Sequence, residues 1–441
     1  KFTTESSGMM LLFAVLVDET LTAHAGLALL AEFTHGLSLR ALVDRYLPQP
    51  RSHRGYAPSV FVETVILLLQ SGGRTLADLR ELGREEALLG LLRQDVLPDP
   101  DTVGDWLRRM GDPETGQAGL AGLGQVRDAL TTRLLRRDGV TDYTLDVDAT
   151  LIEAEKRDAQ WSYKGLTGYM PLLGFLVETP VCLVEEFREG NISPGSGHLA
   201  FYRACQARMP QDKRIGAYRA DSASYQAELI NALEADGVRF SITADQDAAV
   251  KTLLRELPEA AWTEPVPGCG YELAEAVHTM AKTTVAFRLI CKRERRQQLA
   301  LFEGAVPYVY HVIATNWLPE EQSAHAVLDR HNQRGQAENL LKELKHGMGM
   351  ERMPCGESYA NAVWFRLGVI AYNLVVGFTR LACPPAWARH TISTLRWMLL
   401  QVAGRIVHHA GQVVLRLVVE AERLALLRGI RHRCWALSAA A

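Results

Sequence analysis

The chain lacks any Cys-x-x-Cys pair and any short Cys/His cluster; its seven cysteines are scattered between positions 182 and 434. That argues against a zinc framework or a disulfide scaffold and predicts reduced thiols in a cytoplasmic protein. An excess of basic residues is also missing. The net charge is −3, so any affinity for nucleic acid has to come from a local patch rather than from the overall field. No run approaches the ~20 apolar residues that span a bilayer, so no membrane partner is expected. The apolar run Met9–Val17 follows the acidic Glu5 and enters Asp18 and Glu19. A secretory signal needs a basic start and a small-residue cleavage site, so a buried strand is the expectation here. Internal repeats and low-complexity segments are absent as well.

What is present is a 441-residue chain with 48% hydrophobic content, ample for a large core and for two or three domains. Residues 1–138 read as mainly helical. Two short helices joined by Gly72-Gly73 fit either a helix-turn-helix or a plain packing domain. Pro98-Asp-Pro-Asp-Thr102 reads as a cap for the helix that follows. From Tyr143 the period becomes alternating, and strands and helices interleave to about residue 245. Residues 246–309 are rich in β-formers and turn residues and read as an insertion. A long apolar helix at 361–381 should pack on the sheet. The segment 383–441 is basic: Leu381 to Ala441 holds eight Arg and two Glu, giving 8 − 2 = +6. It reads as a hairpin around Ala410-Gly411 followed by a loosely held tail. Lys292–Arg296 is a second basic cluster.

Acidic residues carry the chemistry. In Tyr143–Ile152, Asp146 and Asp148 share one strand face, because side chains two apart point the same way. Burying carboxylates costs several kcal/mol unless they are paired or bound to a cation. The pair therefore marks either an edge strand with a wet face or a strand whose end holds a divalent metal. A second strand, Arg214–Asp221, delivers Asp221 to the loop before a helix that Ser222 would cap. The stretch His331–His346 reads as one helix. It places Arg334, Glu338, Lys342 and Lys345 along one side, and Leu340, Leu341 and Leu344 on another. A lone carboxylate among cations suits a metal ligand beside phosphate-binding groups. If Asp148, Asp221 and Glu338 converge, their hard oxygens suit Mg²⁺ or Mn²⁺ rather than zinc.

With these residues in place, the chain resembles a DDE transposase of the IS4/IS1380 type from about Leu21 to Leu417. Leu145-Asp-Val-Asp-Ala-Thr150 is similar to the first-aspartate motif and Arg219-Ala-Asp-Ser222 to the second. Arg334-Gly-Gln-Ala-Glu338 with Lys345 is similar to the signature that carries the final glutamate. Ala314-Thr-Asn316 and Ala371-Tyr-Asn-Leu374 match beside it. The resemblance implies an α/β fold with an RNase H-like mixed-sheet core (139–245 and 310–382). An N-terminal helical DNA-binding domain, a β-rich insertion (246–309) and a helical/hairpin C-terminal tail would surround it. Asp148, Asp221 and Glu338 would be the catalytic ligands of two Mg²⁺ or Mn²⁺ ions. Arg334, Lys345, His331 and Lys342 would bind DNA phosphates. His331 stands where the signature has tyrosine, and its donor strength would depend on pH. Trp317 would stack a flipped base. Lys164 and Tyr169 fit either DNA contacts or turn positions. The implied partners are double-stranded DNA, as transposon ends and target, and a second copy of the chain; the implied setting is a bacterial insertion sequence and the nucleoid. Two other functions use the same features: a metal-dependent nuclease that cuts without rejoining, and a catalytically silent DNA-binding repressor.

Overall fold

The computed structural model describes residues 21–50, 55–92, 97–114, 116–295, 308–409 and 412–439. The run at Met9–Val17, Arg296 of the second basic cluster and the turn at Ala410-Gly411 lie outside the described residues.

At the centre is an eight-stranded mixed sheet. Its spatial order is Tyr271–His278, Phe287–Arg295, Tyr308–Thr315, Arg239–Thr243, Arg214–Ala220, Asp142–Ala149, Leu172–Leu176 and Cys182–Glu186. Asp142–Ala149, Arg214–Ala220 and Arg239–Thr243 run parallel, and every other pairing in the sheet is antiparallel. The strand with Asp146 and Asp148 is therefore internal, flanked on both sides. This overturns the edge-strand alternative. In the segment expected as a β-rich insertion, Tyr271–His278 and Phe287–Arg295 extend the same sheet through Tyr308–Thr315.

Helices Leu27–Gly36, Leu39–Tyr46, Pro58–Ser71, Pro100–Gly111 and Gln117–Leu135 form the N-terminal region. Asp99 caps Pro100–Gly111, its carboxylate accepting from the Asp101 and Thr102 amides at 2.9 and 3.2 Å. The Gly72-Gly73 joint bends the chain by 94°. Pro58–Ser71 is buried along most of its length, however, and the second helix, Leu79–Gly83, is five residues long. The packing reading is the one this geometry fits. The helix Ser358–Leu381 is long and apolar enough to cross a membrane, but 83% of that window is buried inside the fold. It meets the sheet through Asn373, which accepts from the Cys182 amide at 2.8 Å and donates to its carbonyl at 2.8 Å. One continuous core runs from Leu27 through the sheet to Cys434.

The hairpin is present as Gly404–His409 paired with Gln412–Leu417. The tail is not loose. Ala421–Ala439 is a helix that buries Leu427, Ile430 and Cys434, and Arg431 pairs with Glu32 at 2.8 Å. Part of its basic character is used inside the fold: Arg396 donates to the Leu69 and Gln70 carbonyls, Arg423 to Met398 and Arg433 to Ala382. In the other basic cluster Arg293 is buried between Trp262 and Tyr308 and pairs with Glu259 and Glu272.

Glu185 joins the layers. It is 1% exposed on the last sheet strand and binds both Arg127 of Gln117–Leu135 and Arg366 of Ser358–Leu381. Burial raises the Glu185 carboxyl, but the two guanidiniums outweigh burial and hold it below its ordinary range. Its contribution is therefore present above the unfolded pKa and is lost as pH falls through the lowered folded value. Glu185→Ala leaves the buried Arg127 with Asp128 but without its second carboxylate, strips the carboxylate from Arg366, and should cost about 3 kcal/mol. Thermal denaturation at neutral pH checks this, with a smaller loss expected for Glu185→Gln.

Candidate active site

Two of the parallel strands end side by side. Asp148 lies at the carboxyl end of Asp142–Ala149, and Asp221 directly follows Arg214–Ala220. The carboxyl edge of parallel strands is where open sheets place their chemistry. Asp221, not Ser222, is the cap: its Oδ1 accepts from the Ala223 amide at 3.0 Å at the start of a short 3₁₀ turn, and the helix proper begins at Ala227. Behind that turn Ser224 is fixed by His198 at 2.6 Å and by Tyr218 at 3.0 Å.

The stretch expected as one helix is three pieces. Ala324–Asn332 ends, the chain turns at Gln333-Arg334, Gly335–Lys342 begins, and Glu343–Gly347 widens into a π-helix. Arg334, Glu338 and Lys342 keep their four-residue spacing along Gly335–Lys342 and its cap, whereas Lys345 falls on the π turn. Arg334, at the joint, points its guanidinium toward Asp148 at 3.6 Å. Glu338 is exposed in the first turn of Gly335–Lys342, and Lys342 is exposed one turn later. Lys345, on the π turn, donates to the Leu151 carbonyl at 2.8 Å and approaches Thr150 Oγ1 at 3.5 Å. It thus clamps the strand end that carries Asp148, with one of its three N–H groups left over.

The three acids belong to one electrostatic cluster. The Asp148 carboxyl is pushed up to about 6, first by burial, then by the charge of Asp221, with a smaller push from Glu338; Arg334 opposes them. Among the described residues no three acidic, His or Cys side chains are drawn close enough to hold an ion as they stand. The chemistry of the set nonetheless fits a divalent cation. Two carboxylates that repel in a buried place are relieved by a cation between them.

Deeper in the same sheet face lies a pair the sequence reading did not assign. Asp146 and Arg219 are each 2% exposed, with Nε–Oδ1 at 2.6 Å and Nη2–Oδ2 at 2.7 Å. The third donor of Arg219 reaches the Arg330 carbonyl at 2.6 Å. A signal existed: Asp146 and Arg219 each sit two residues before an acid of the cluster, on neighbouring strands. Asp146 is thereby paired as a structural acid, which leaves Asp148 as the strand's candidate ligand.

Two expectations are corrected. His331 is buried, with Nε2 to Thr243 Oγ1 at 3.0 Å and Nδ1 to the Ser241 carbonyl at 3.3 Å. Burial, His311 and Arg334 hold it down to about 3, and both ring nitrogens are engaged inside the fold rather than free for a phosphate. Trp317 is at the wrong edge. Thr315 pairs with Ser241 in the antiparallel ladder, so Trp317 lies level with the start of Arg239–Thr243, roughly 13 Å of strand from its carboxyl end. Arg239 and Arg330 cover its ring at 5.7 and 5.0 Å. Tyr169 is buried against Asn361 and Phe187, whereas Lys164 is exposed.

The mixed sheet thus places two aspartates at its parallel carboxyl edge, with Glu338 coupled to Asp148 from the helix that follows. The chain belongs to the transposase DDE domain group 1 family, whose model matches residues 16–436. The solved structure of a piggyBac transposase synaptic complex with hairpin DNA is similar, with a TM-score of 0.44 and 9% identity over 85% of this chain and 79% of that one. No curated protein matches the chain.

Two measurements follow from the shifted groups. The folded protein holds Asp148 above its unfolded value of 3.8. Its ionisation therefore costs stability, and the cost grows as pH rises from 3.8 through about 6. Without divalent ions at pH 7.5, Asp148→Asn should melt higher than the wild type, by at most about 3 kcal/mol of stability. Mg²⁺ should raise the melting temperature of the wild type and leave that of the variant unchanged. His331 shows the opposite sign of dependence. Kept neutral in the fold, it favours the native state above 6.5 and loses that contribution as pH falls from 6.5 toward about 3. His331→Gln should flatten stability against pH over that window in denaturant titrations.

Proposed function

We propose that this protein is a DNA transposase of the IS4/IS1380 type, with an RNase H-like core that cuts at the ends of a mobile element and joins them to target DNA. One observation carries the reading: Asp148, Asp221 and Glu338 are electrostatically coupled at the carboxyl edge of two adjacent parallel strands, in a chain of the transposase DDE family.

Asp148 and Asp221 would hold a pair of Mg²⁺ or Mn²⁺ ions, with Glu338 completing the set. Such ions lower the pKa of a bound water or 3′-hydroxyl and stabilise the leaving oxygen of the phosphodiester. The chain's own residues do the rest. Arg334 is placed to exchange its long contact with Asp148 for a forked pair of hydrogen bonds to a phosphate. Lys345 keeps the Asp148 strand end in register, and its spare N–H and the exposed Lys342 add positive charge around the backbone. The Asp146–Arg219 pair holds both aspartate strands against the segment leading to Glu338. Double-stranded DNA is the partner, and two copies of the chain would bring two ends together.

Glu338→Gln removes a ligand without changing size and should abolish Mg²⁺-dependent nicking and strand transfer while binding of terminal-repeat DNA persists. Gel assays on labelled ends, with a pre-cut 3′-hydroxyl substrate run in parallel, check both steps. Strand transfer by the variant would overturn the proposal. Nicking without transfer by the wild type would favour the nuclease.

A further inference from the structure

Immediately after the Asp148 strand the chain builds a small three-stranded sheet that projects beside the site. Ile152–Glu153 pairs with Thr167–Tyr169, which pairs with Gln160–Trp161. Its base is fixed. Ile152 and Tyr169 are fully buried, Tyr169 is held by Asn361 at 3.1 Å, and the Asp158 carboxylate accepts from the Ser358 amide at 3.1 Å. Gly168 sits so close to the neighbouring strand that a Cβ would fall 2.0 Å from the Ile152 oxygen. The tip is a tight turn in which Ser162 N–H donates to the Leu166 carbonyl at 2.9 Å, with Gly165 at φ +73°.

This rigid turn exposes what a fold normally hides. Trp161 is 67% exposed, Tyr163 66% and Leu166 41%. Lys164 is the sole charge between Ala159 and Met170, and its ammonium lies 5.7 Å from the Tyr163 ring centre. Lys164 also reaches Lys345 electrostatically, and Lys345 is bonded to the Leu151 carbonyl, three residues beyond Asp148. The acid Lys345 senses, Glu351, is itself paired with Arg74. Two exposed flat rings and a lysine on one turn, with Lys345 within electrostatic reach of that lysine, complement a strand with unstacked bases and a phosphate backbone. Aromatic faces stack bases of any sequence while cations follow the phosphates. Firm anchoring of the tip lowers the ordering cost of such contacts.

We propose that the turn Trp161–Leu166 is a base-stacking platform for unpaired nucleotides of the DNA held at the Asp148–Asp221–Glu338 site, the place the sequence reading gave to Trp317. The proposal rests on the DNA-cutting reading above and adds a residue-level site to it.

The test uses the full chain and a duplex with a short single-stranded overhang carrying 2-aminopurine, compared with a blunt duplex of the same sequence. The wild type should bind the overhang and change the 2-aminopurine emission on stacking. Trp161→Ala/Tyr163→Ala should bind it at least about fivefold more weakly, the loss of one stacked base, with the emission change gone and blunt-duplex binding unchanged. Trp161→Phe/Tyr163→Phe should restore both signals. Equal overhang affinity in wild type and alanine variant would overturn the platform and leave the transposase reading standing. So would equal weakening toward both DNAs, or a change in sedimentation pointing to a contact between copies. Absence of DNA binding by the wild type would overturn both.

Discussion

Everything at the site depends on one buried ion pair. Asp146 and Arg219 face each other from neighbouring strands at 2% exposure, where neither charge is tolerable alone. Two hydrogen bonds at 2.6 and 2.7 Å neutralise the carboxylate, and the remaining donor satisfies the Arg330 carbonyl at 2.6 Å. Removing either partner leaves an uncompensated buried charge, costly by about 3–5 kcal/mol. The pair therefore acts as a register device: it admits one alignment of the two aspartate strands and one seat for the helix end that precedes Glu338. Asp148 and Asp221, two residues further along each strand, inherit that alignment.

The balance of the pair contrasts with the imbalance just beyond it. Burial, Asp221 and Glu338 raise the cost of ionising Asp148, and Arg334, at 3.6 Å, and the Ala149 amide oppose them. A sheet edge can sustain this imbalance because the rest of the fold is strongly held, through Glu185 with its two arginines and through a core continuous from Leu27 to Cys434. Charge repulsion left unrelieved in a stable frame is what a divalent cation site requires before the cation arrives.

Much of this was legible in the sequence because it is local. The alternation at Tyr143–Ala149, the strand before Asp221 and the long apolar helix at 361–381 all have periods that read directly. What was not legible depends on partners far away in the chain. The arginines of 383–441 look like a DNA-binding patch by count, yet Arg396, Arg423 and Arg433 are occupied by backbone carbonyls. The residues 246–309 look like an insertion by composition, yet their strands continue the sheet, and no spacing rule reveals which strand pairs with which. Trp317 follows a matching motif, but strand direction carries it to the opposite edge.

The break in the expected helix is the most instructive miss. Apart from Gly335, good helix formers run from His331 to His346, and propensity alone favours one rod. Three successive fastenings prevent it, one to each parallel strand. The Arg330 carbonyl goes to Arg219 of the second aspartate strand. The His331 imidazole goes to Ser241 and Thr243 of the third. Arg334 turns toward Asp148 of the first. With Arg330, His331 and Arg334 held to three strands, and Gly335 a poor helix former, the chain turns at Gln333-Arg334 and restarts at Gly335. On this view the histidine at the tyrosine position is a change of task. Its side chain is a buried peg between strands, and Arg334 and Lys345 are the cations held beside the Asp148 strand end.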